Sequence, residues 1–190
     1  ILNELANLKW RGKPIKCEAV CGIDYRILLK NPELTILLKR ARFEKIRIAW
    51  DWHYDEHEEI EKALKLLTSA GYRSKDIFIF MIYNWEIPFY EMERKRIKCW
   101  QWKVQIADCR YRPLNQTYDN YDITKQQTAE DYYIHPKWTD AEVKQFRKNV
   151  RRQNICVRFN LQYYSRILEK RLLPPADILK LKKLSSDEAR

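Results

Sequence analysis

Four short runs rich in β-branched or aromatic residues, at 16–21, 45–50, 76–83 and 103–107, are each followed by a stretch with helical periodicity. Their starts lie 29, 31 and 27 residues apart, the length of one strand plus one crossover helix. Strands that recur at this interval with helices between them pair in parallel. The expected fold class is therefore α/β, built of parallel βα repeats in a barrel or a doubly wound sheet. The chain has no initiator Met, opens on an amphipathic helix and carries four such units, so it reads as the back half of something larger.

The pattern divides the chain into βα repeats over 1–114, a polar loop over 115–137, helices over 138–175 and a basic, polar tail over 176–190. Ile1, Leu2, Leu5 and Leu8 share one helical face, and Gly12 is placed to end that helix. Asn31-Pro32-Glu33 combines a capping Asn, a Pro for the first helical position and an early acid. Asp55 is expected to cap the next helix, with Ile60, Ala63, Leu64 and Leu67 inward and Gly71 closing it. Thr139 and Glu142 form a capping box ahead of a helix with Val143, Phe146 and Val150 inward and Lys144, Arg147, Lys148, Arg151 and Arg152 outward. A further helix is expected around 161–172, stopped by Pro174 and Pro175. The 115–137 loop, with Tyr118, Tyr121, Tyr132 and Tyr133, is too long for a mere connector.

Five cysteines, an odd number in a chain of 190 residues, argue for reduced thiols and a cytoplasmic setting. No apolar window is long enough for a membrane span. With 37 Lys and Arg against 26 Asp and Glu, the net charge of +11 favours anionic partners: nucleic acid, acidic lipid or an anionic ligand.

Metal ligation finds little support in the residue spacing. Cys17 and Cys21 suit two core thiols on one strand, because the third position of a C-x-x-x-C-x-x-C triplet is Asp24. Cys99, Cys109 and Cys156 show no ligand spacing and read as buried small hydrophobes. His53 and His57 are four apart, but a cap at Asp55 leaves His53 outside the helix. The stronger constellation is positional. Ligands of parallel βα folds sit beyond the carboxyl ends of the strands, so Asp24, Arg26, Asp51, Asn84, Asp108, Arg110 and Arg112 are expected at one mouth, as ligand groups or as rim residues that cap helices or pair with one another. Basic and aromatic residues also interleave at 94–103 and 144–158, either as phosphate-binding stretches or as amphipathic helices with solvated outer faces.

Cys21-Gly22-Ile23-Asp24-Tyr25-Arg26-Ile27-Leu28, Lys45-Ile46-Arg47-Ile48-Ala49-Trp50-Asp51, Ala70-Gly71-Tyr72, Tyr111-Arg112-Pro113-Leu114 and the segment from Trp138-Thr139 to Gln153-Asn154 occur in that order. Together they resemble the carboxyl half of a radical S-adenosylmethionine (radical SAM) protein, over about residues 16–158. The resemblance implies the C-terminal half of a partial (β/α)6 TIM-type barrel with C-terminal helices. It also implies S-adenosylmethionine across the strand ends and a 4Fe–4S cluster that cleaves it to a 5′-deoxyadenosyl radical.

By resemblance, Asp24 and Arg26 lie near the cofactor's ribose and carboxylate, Asp51 near the ribose or substrate, and Ile82 to Asn84 beside the adenine. Arg110, Arg112, Arg151 and Arg152 are the candidates for contact with substrate or phosphate. The family's C-x-x-x-C-x-x-C loop and its glycine-rich strand do not occur in this sequence. The chain alone is therefore expected to hold neither metal nor cluster and to be inactive. Its expected partners are the missing N-terminal half or a second chain covering the first strand, a second copy of itself, and an anionic substrate. The alternative readings are a basic, non-enzymatic nucleic-acid-binding module and a scaffold subunit.

Overall fold

In the computed structural model, which describes residues 1–161, the elements run α1 (Leu2–Asn7), β1 (Lys9–Trp10), β2 (Lys13–Pro14), β3 (Ile23–Asp24), α2 (Tyr25–Lys30), α3 (Glu33–Arg40), β4 (Arg47–Ala49), α4 (His57–Ser69), β5 (Phe78–Tyr83), α5 (Phe89–Gln101), β6 (Gln105–Arg110) and α6 (Asp140–Phe159). The strands β3, β4, β5 and β6 form one parallel sheet whose spatial order is their order in the chain. Right-handed crossovers between successive neighbours put the connecting helices on one face of such a sheet. Burial agrees with this. Ile48, Ile79, Met81 and Ile106 point to one side and are buried against the helices. Ala49, Phe80, Ile82 and Ala107, which alternate with them, are only half-buried, and Cys109 is exposed.

The two edges of the sheet differ. Asn154 of α6 donates from Nδ2 to the Ile106 carbonyl at 2.8 Å and accepts from the Ile106 N–H at 2.8 Å, occupying the outer edge of β6 as a strand would. The opposite edge strand, β3, pairs only with β4. It begins right after Gly22, where a Cβ would stand 3.0 Å from the Cβ of Ala49, so only glycine lets the two strands approach this closely. Among the described residues no helix is long and apolar enough to cross a membrane.

The expected βα rhythm is present with shifted boundaries. The run at 16–21 makes one parallel bridge, Cys17 to Phe43, and the strand proper starts at Ile23 because Asp24 at once caps α2, an unexpected helix. Gly12 does not stop a helix: Arg11 and Gly12, both at positive φ, turn a short antiparallel hairpin of β1 and β2. Pro32 rather than Asn31 is the cap of α3, and Glu56 rather than Asp55 that of α4. Gly71, at φ 93°, closes α4 as expected, with the Tyr72 N–H reaching back to the Leu67 carbonyl. The capping box of Thr139 and Glu142 forms. The helix expected at 161–172, Pro174, Pro175 and the tail lie outside the described residues.

Burial corrects other expectations. Cys99 and Cys156 are buried, but Cys17 is half-buried and Cys21 and Cys109 are exposed. Lys144 points inward and pairs with Asp140 at 2.7 Å. The basic stretch at 94–103 is folded inward: Lys95 and Arg96 are fully buried, Arg94 covers the Tyr54 ring and Lys98 pairs with Glu61. It presents no solvated basic face, because α6 packs over it through a buried network. Glu93 accepts twice from Arg96 at 2.8 and 2.9 Å, Asn149 donates to Glu93, and Gln153 bonds both the guanidinium and the carbonyl of Arg96.

Candidate functional site

The four polar strand tips meet different fates. Asp24 caps α2 by accepting from the Arg26 N–H, and the Arg26 guanidinium folds back onto the same carboxylate in a bidentate pair at 2.8 to 3.0 Å. That hydrogen-bonded pair holds the Asp24 carboxyl below its ordinary range. These two candidates follow the rim reading of strand-end groups, which cap helices or pair with one another: Asp24 does both.

Asp51 stands apart. Its Oδ1 is buried with no hydrogen-bond partner, and burial pushes its carboxyl above the usual range. Asp24 and Cys109 lie within electrostatic reach of it. In the sheet register Asp24 aligns with Ala49, and Ile82 with Cys109. Asp24, Asp51, Ile82 and Cys109 thus collect at the carboxyl edge, on the face opposite the connecting helices.

Asn84 is buried and spoken for. Its backbone is left-handed at φ 59°, its Oδ1 accepts from the His135 N–H at 2.9 Å, and its Nδ2 donates to the Tyr133 carbonyl at 2.7 Å. It anchors the long loop to the sheet and is not open to an adenine. His135, which shows no partner in the sequence pattern, faces Glu86 at 3.4 Å. Arg110 and Arg112 both bond Asp119 of the long loop, and Arg110 also lies over the rings of Tyr121 and Tyr132. These two arginines bind the loop. Arg151 and Arg152 lie on the exposed side of α6, and Arg151 lines a cleft.

One part of the site escapes a reading of polar tips alone. Trp52, Trp85, Tyr111, Tyr133 and His135 form a chain of ring contacts with centroids 5.1 to 6.4 Å apart. Trp52 follows β4, Trp85 follows β5 and Tyr111 follows β6, so the ledge crosses the carboxyl edge of the sheet. A signal exists in the sequence: Asp51-Trp52, Asn84-Trp85 and Arg110-Tyr111 each place an aromatic directly after the polar tip. Trp52 is 54% exposed. Rings beside a buried, unpartnered carboxylate suit a ligand with a planar or apolar part and a hydroxyl or amine to donate.

Lys95 of α5 supports this edge from below. Its Nζ donates to the carbonyls of Trp50 and Trp52 at 2.6 and 2.7 Å, so it fixes the backbone on both sides of Asp51. Burial pulls its ammonium down to about 8. Between that value and about 10.4 in the unfolded chain the fold binds fewer protons, so the contribution of Lys95 to stability rises with pH, by about 1–2 kcal/mol from pH 8 to 9.5. The buried Cys99 and Cys156 thiols, pushed upward, act in the opposite sense in the same window. The measurement is therefore a difference: urea unfolding of wild type minus Lys95→Met should rise across that interval, and a flat difference contradicts the assignment.

The residues present do not fit an iron–sulfur cluster. Cys17 and Cys21 have no third cysteine at the required spacing, and no group of three His, Cys, Asp or Glu among the described residues could hold a metal ion. No protein family, curated protein or solved structure matches this chain. The α/β assignment rests on the sheet itself.

Proposed function

We propose that this chain forms the carboxyl-side half of a partial βα barrel of the radical SAM type, with the mouth at Asp51 binding the adenosyl part of S-adenosylmethionine and an anionic substrate beside it. One observation carries the reading. Among the described residues a carboxylate oxygen is buried without a donor on the face of a sequentially ordered parallel sheet opposite its connecting helices, at the edge where such folds take their ligands. A ribose hydroxyl supplies the missing donor, and the ledge from Trp52 to Tyr133 offers stacking area for a base. Sequential order with helices on one face is the winding of a barrel, whereas a doubly wound sheet reverses direction at its switch point.

The half-buried face of Ala49, Phe80, Ile82 and Ala107 is then the barrel interior, and the free side of β3 is where further βα units, from another segment or chain, would join. Any cluster belongs to those units, so no radical step is assigned to these residues. What the chain itself does is bind and orient: Asp51 accepts from the ligand, Lys95 holds the backbone around Asp51, and the aromatic ledge excludes water from one side.

The test is titration with S-adenosylhomocysteine, followed by calorimetry and by Trp fluorescence. Binding should fall about 10- to 100-fold in Asp51→Asn, the loss expected for hydrogen bonds to a charged acceptor. Equal affinity in wild type and Asp51→Asn, or no saturation in wild type at millimolar ligand, overturns the proposal.

A further inference from the structure

A second polar cleft lies away from the mouth, between α6 and the long loop. Its volume is about 530 Å³ and its walls are residues 119–123, Arg147 and Arg151. That is the size of a small-molecule site. Arg147 and Arg151 stand one turn apart on α6, on one face of the helix. Neither closes an ion pair within 4 Å among the described residues, while the other charges nearby are matched: Asp119 by Arg110 and Arg112, Asp122 by Lys125, and Asp140 by Lys144. Behind the two guanidiniums lies one carboxylate, Asp108, within electrostatic reach of both.

The surroundings of Arg147 are polar and incompletely bonded. The hydroxyls of Tyr121, in the cleft wall, and of Tyr83 nearby lie within reach of Arg147 without a well-formed hydrogen bond, and Nη1 of Arg110 has no hydrogen-bond partner among the described residues. Tyr83 is 1% exposed, so its orphaned hydroxyl is deep in the protein. The Tyr121 ring is held in place between Arg110 and Arg147.

We propose that this cleft binds the phosphoryl group of a small phosphate-bearing molecule. Two guanidiniums on adjacent turns, without an ion pair among the described residues, match the forked oxygens of a phosphate, which Arg binds bidentately. Their combined charge exceeds that of Asp108 by one. The site is independent of the mouth at Asp51, so Asp51→Asn should leave it unchanged.

Calorimetric titration with inorganic phosphate, with the monophosphate glycerol 3-phosphate and with a twelve-nucleotide single strand tests this. The expected result is saturable binding of the monophosphate at or below about 1 mM, a binding free energy of roughly −4 kcal/mol. It should weaken at least tenfold in Arg151→Gln and in Arg147→Gln and stay intact in Lys148→Gln, which changes an exposed neighbour on α6. Arg151 is itself exposed, so that variant keeps the fold even where Arg147→Gln does not. Inorganic phosphate competing with the monophosphate assigns recognition to the phosphoryl group. Equal losses in Lys148→Gln and Arg151→Gln, tighter binding of the oligonucleotide than of the monophosphate, or no saturation by 10 mM each overturns the proposal.

Discussion

Replacing Glu93 by Ala is expected to lower the unfolding free energy by about 3–5 kcal/mol, the range measured when one partner of a buried ion pair is removed. Glu93 is 1% exposed and Arg96 is fully buried. The Arg96 guanidinium donates twice to Glu93 and once to Gln153, and Asn149 donates to Glu93 from α6. Removing the carboxylate takes the bidentate acceptor from the Arg96 guanidinium and the acceptor from the Asn149 amide between α5 and α6, where water cannot reach them without parting the helices. A control separates loss of the charge from loss of volume. Glu93→Leu combined with Arg96→Met keeps the space filled and leaves no orphaned ion, so it should recover much of the loss. Urea unfolding followed by Trp fluorescence reads both. A Glu93→Ala protein within 1 kcal/mol of wild type would show that the helices are held by apolar contacts alone.

Asn84→Ala is expected to cost about 2–4 kcal/mol and to free the long loop before the rest of the protein unfolds. Three bonds are lost, to the carbonyls of Tyr133 and Tyr111 and from the N–H of His135, at about 1 kcal/mol each. Ala also has no local hydrogen bonding to offset the left-handed backbone at φ 59°, a penalty of roughly 1 kcal/mol. Asn84→Gly relieves the backbone and not the bonds, so it should sit between Ala and wild type. Limited proteolysis should cut the 115–137 segment of the Ala variant first, and amide exchange there should quicken while β5 stays protected. If the loop remains as protected as in wild type, Trp138 is its true anchor, through the two bonds from its indole N–H to the carbonyls of Trp85 and Ile87.

Much of the architecture is written in local chemistry. The four recurring parallel strands, Gly71 as a left-handed stop and the Thr139–Glu142 box each depend on residues close in sequence, and each appears in the fold. Local misreadings also have local reasons. Asp24 ends β3 after two residues because its carboxylate is already bonded to the next helix, and Gly12 pairs with Arg11 to turn a hairpin where a helix stop was expected. The basic stretch at 94–103 misleads for another reason. Its pattern of charges says nothing about α6, whose Asn149 and Gln153 arrive from more than fifty positions away to bury Arg96.

The site shows the same division. The sequence by itself determined that Asp24, Asp51, Asn84 and Arg110 sit at strand ends, because alternation and spacing are properties of the chain's own periodicity. Only the tertiary structure decided which of them has a hand free. Arg26 neutralises Asp24, the loop consumes Asn84, Asp119 claims Nη2 of Arg110 and leaves its Nη1 unbonded, and Asp51 is the one carboxylate of the four with a buried oxygen that has no donor among the described residues. A buried polar group must find its partner wherever the packed chain brings one, and the partners of Asn84 and Lys95 come from 27 to 51 residues away, beyond the reach of any local pattern.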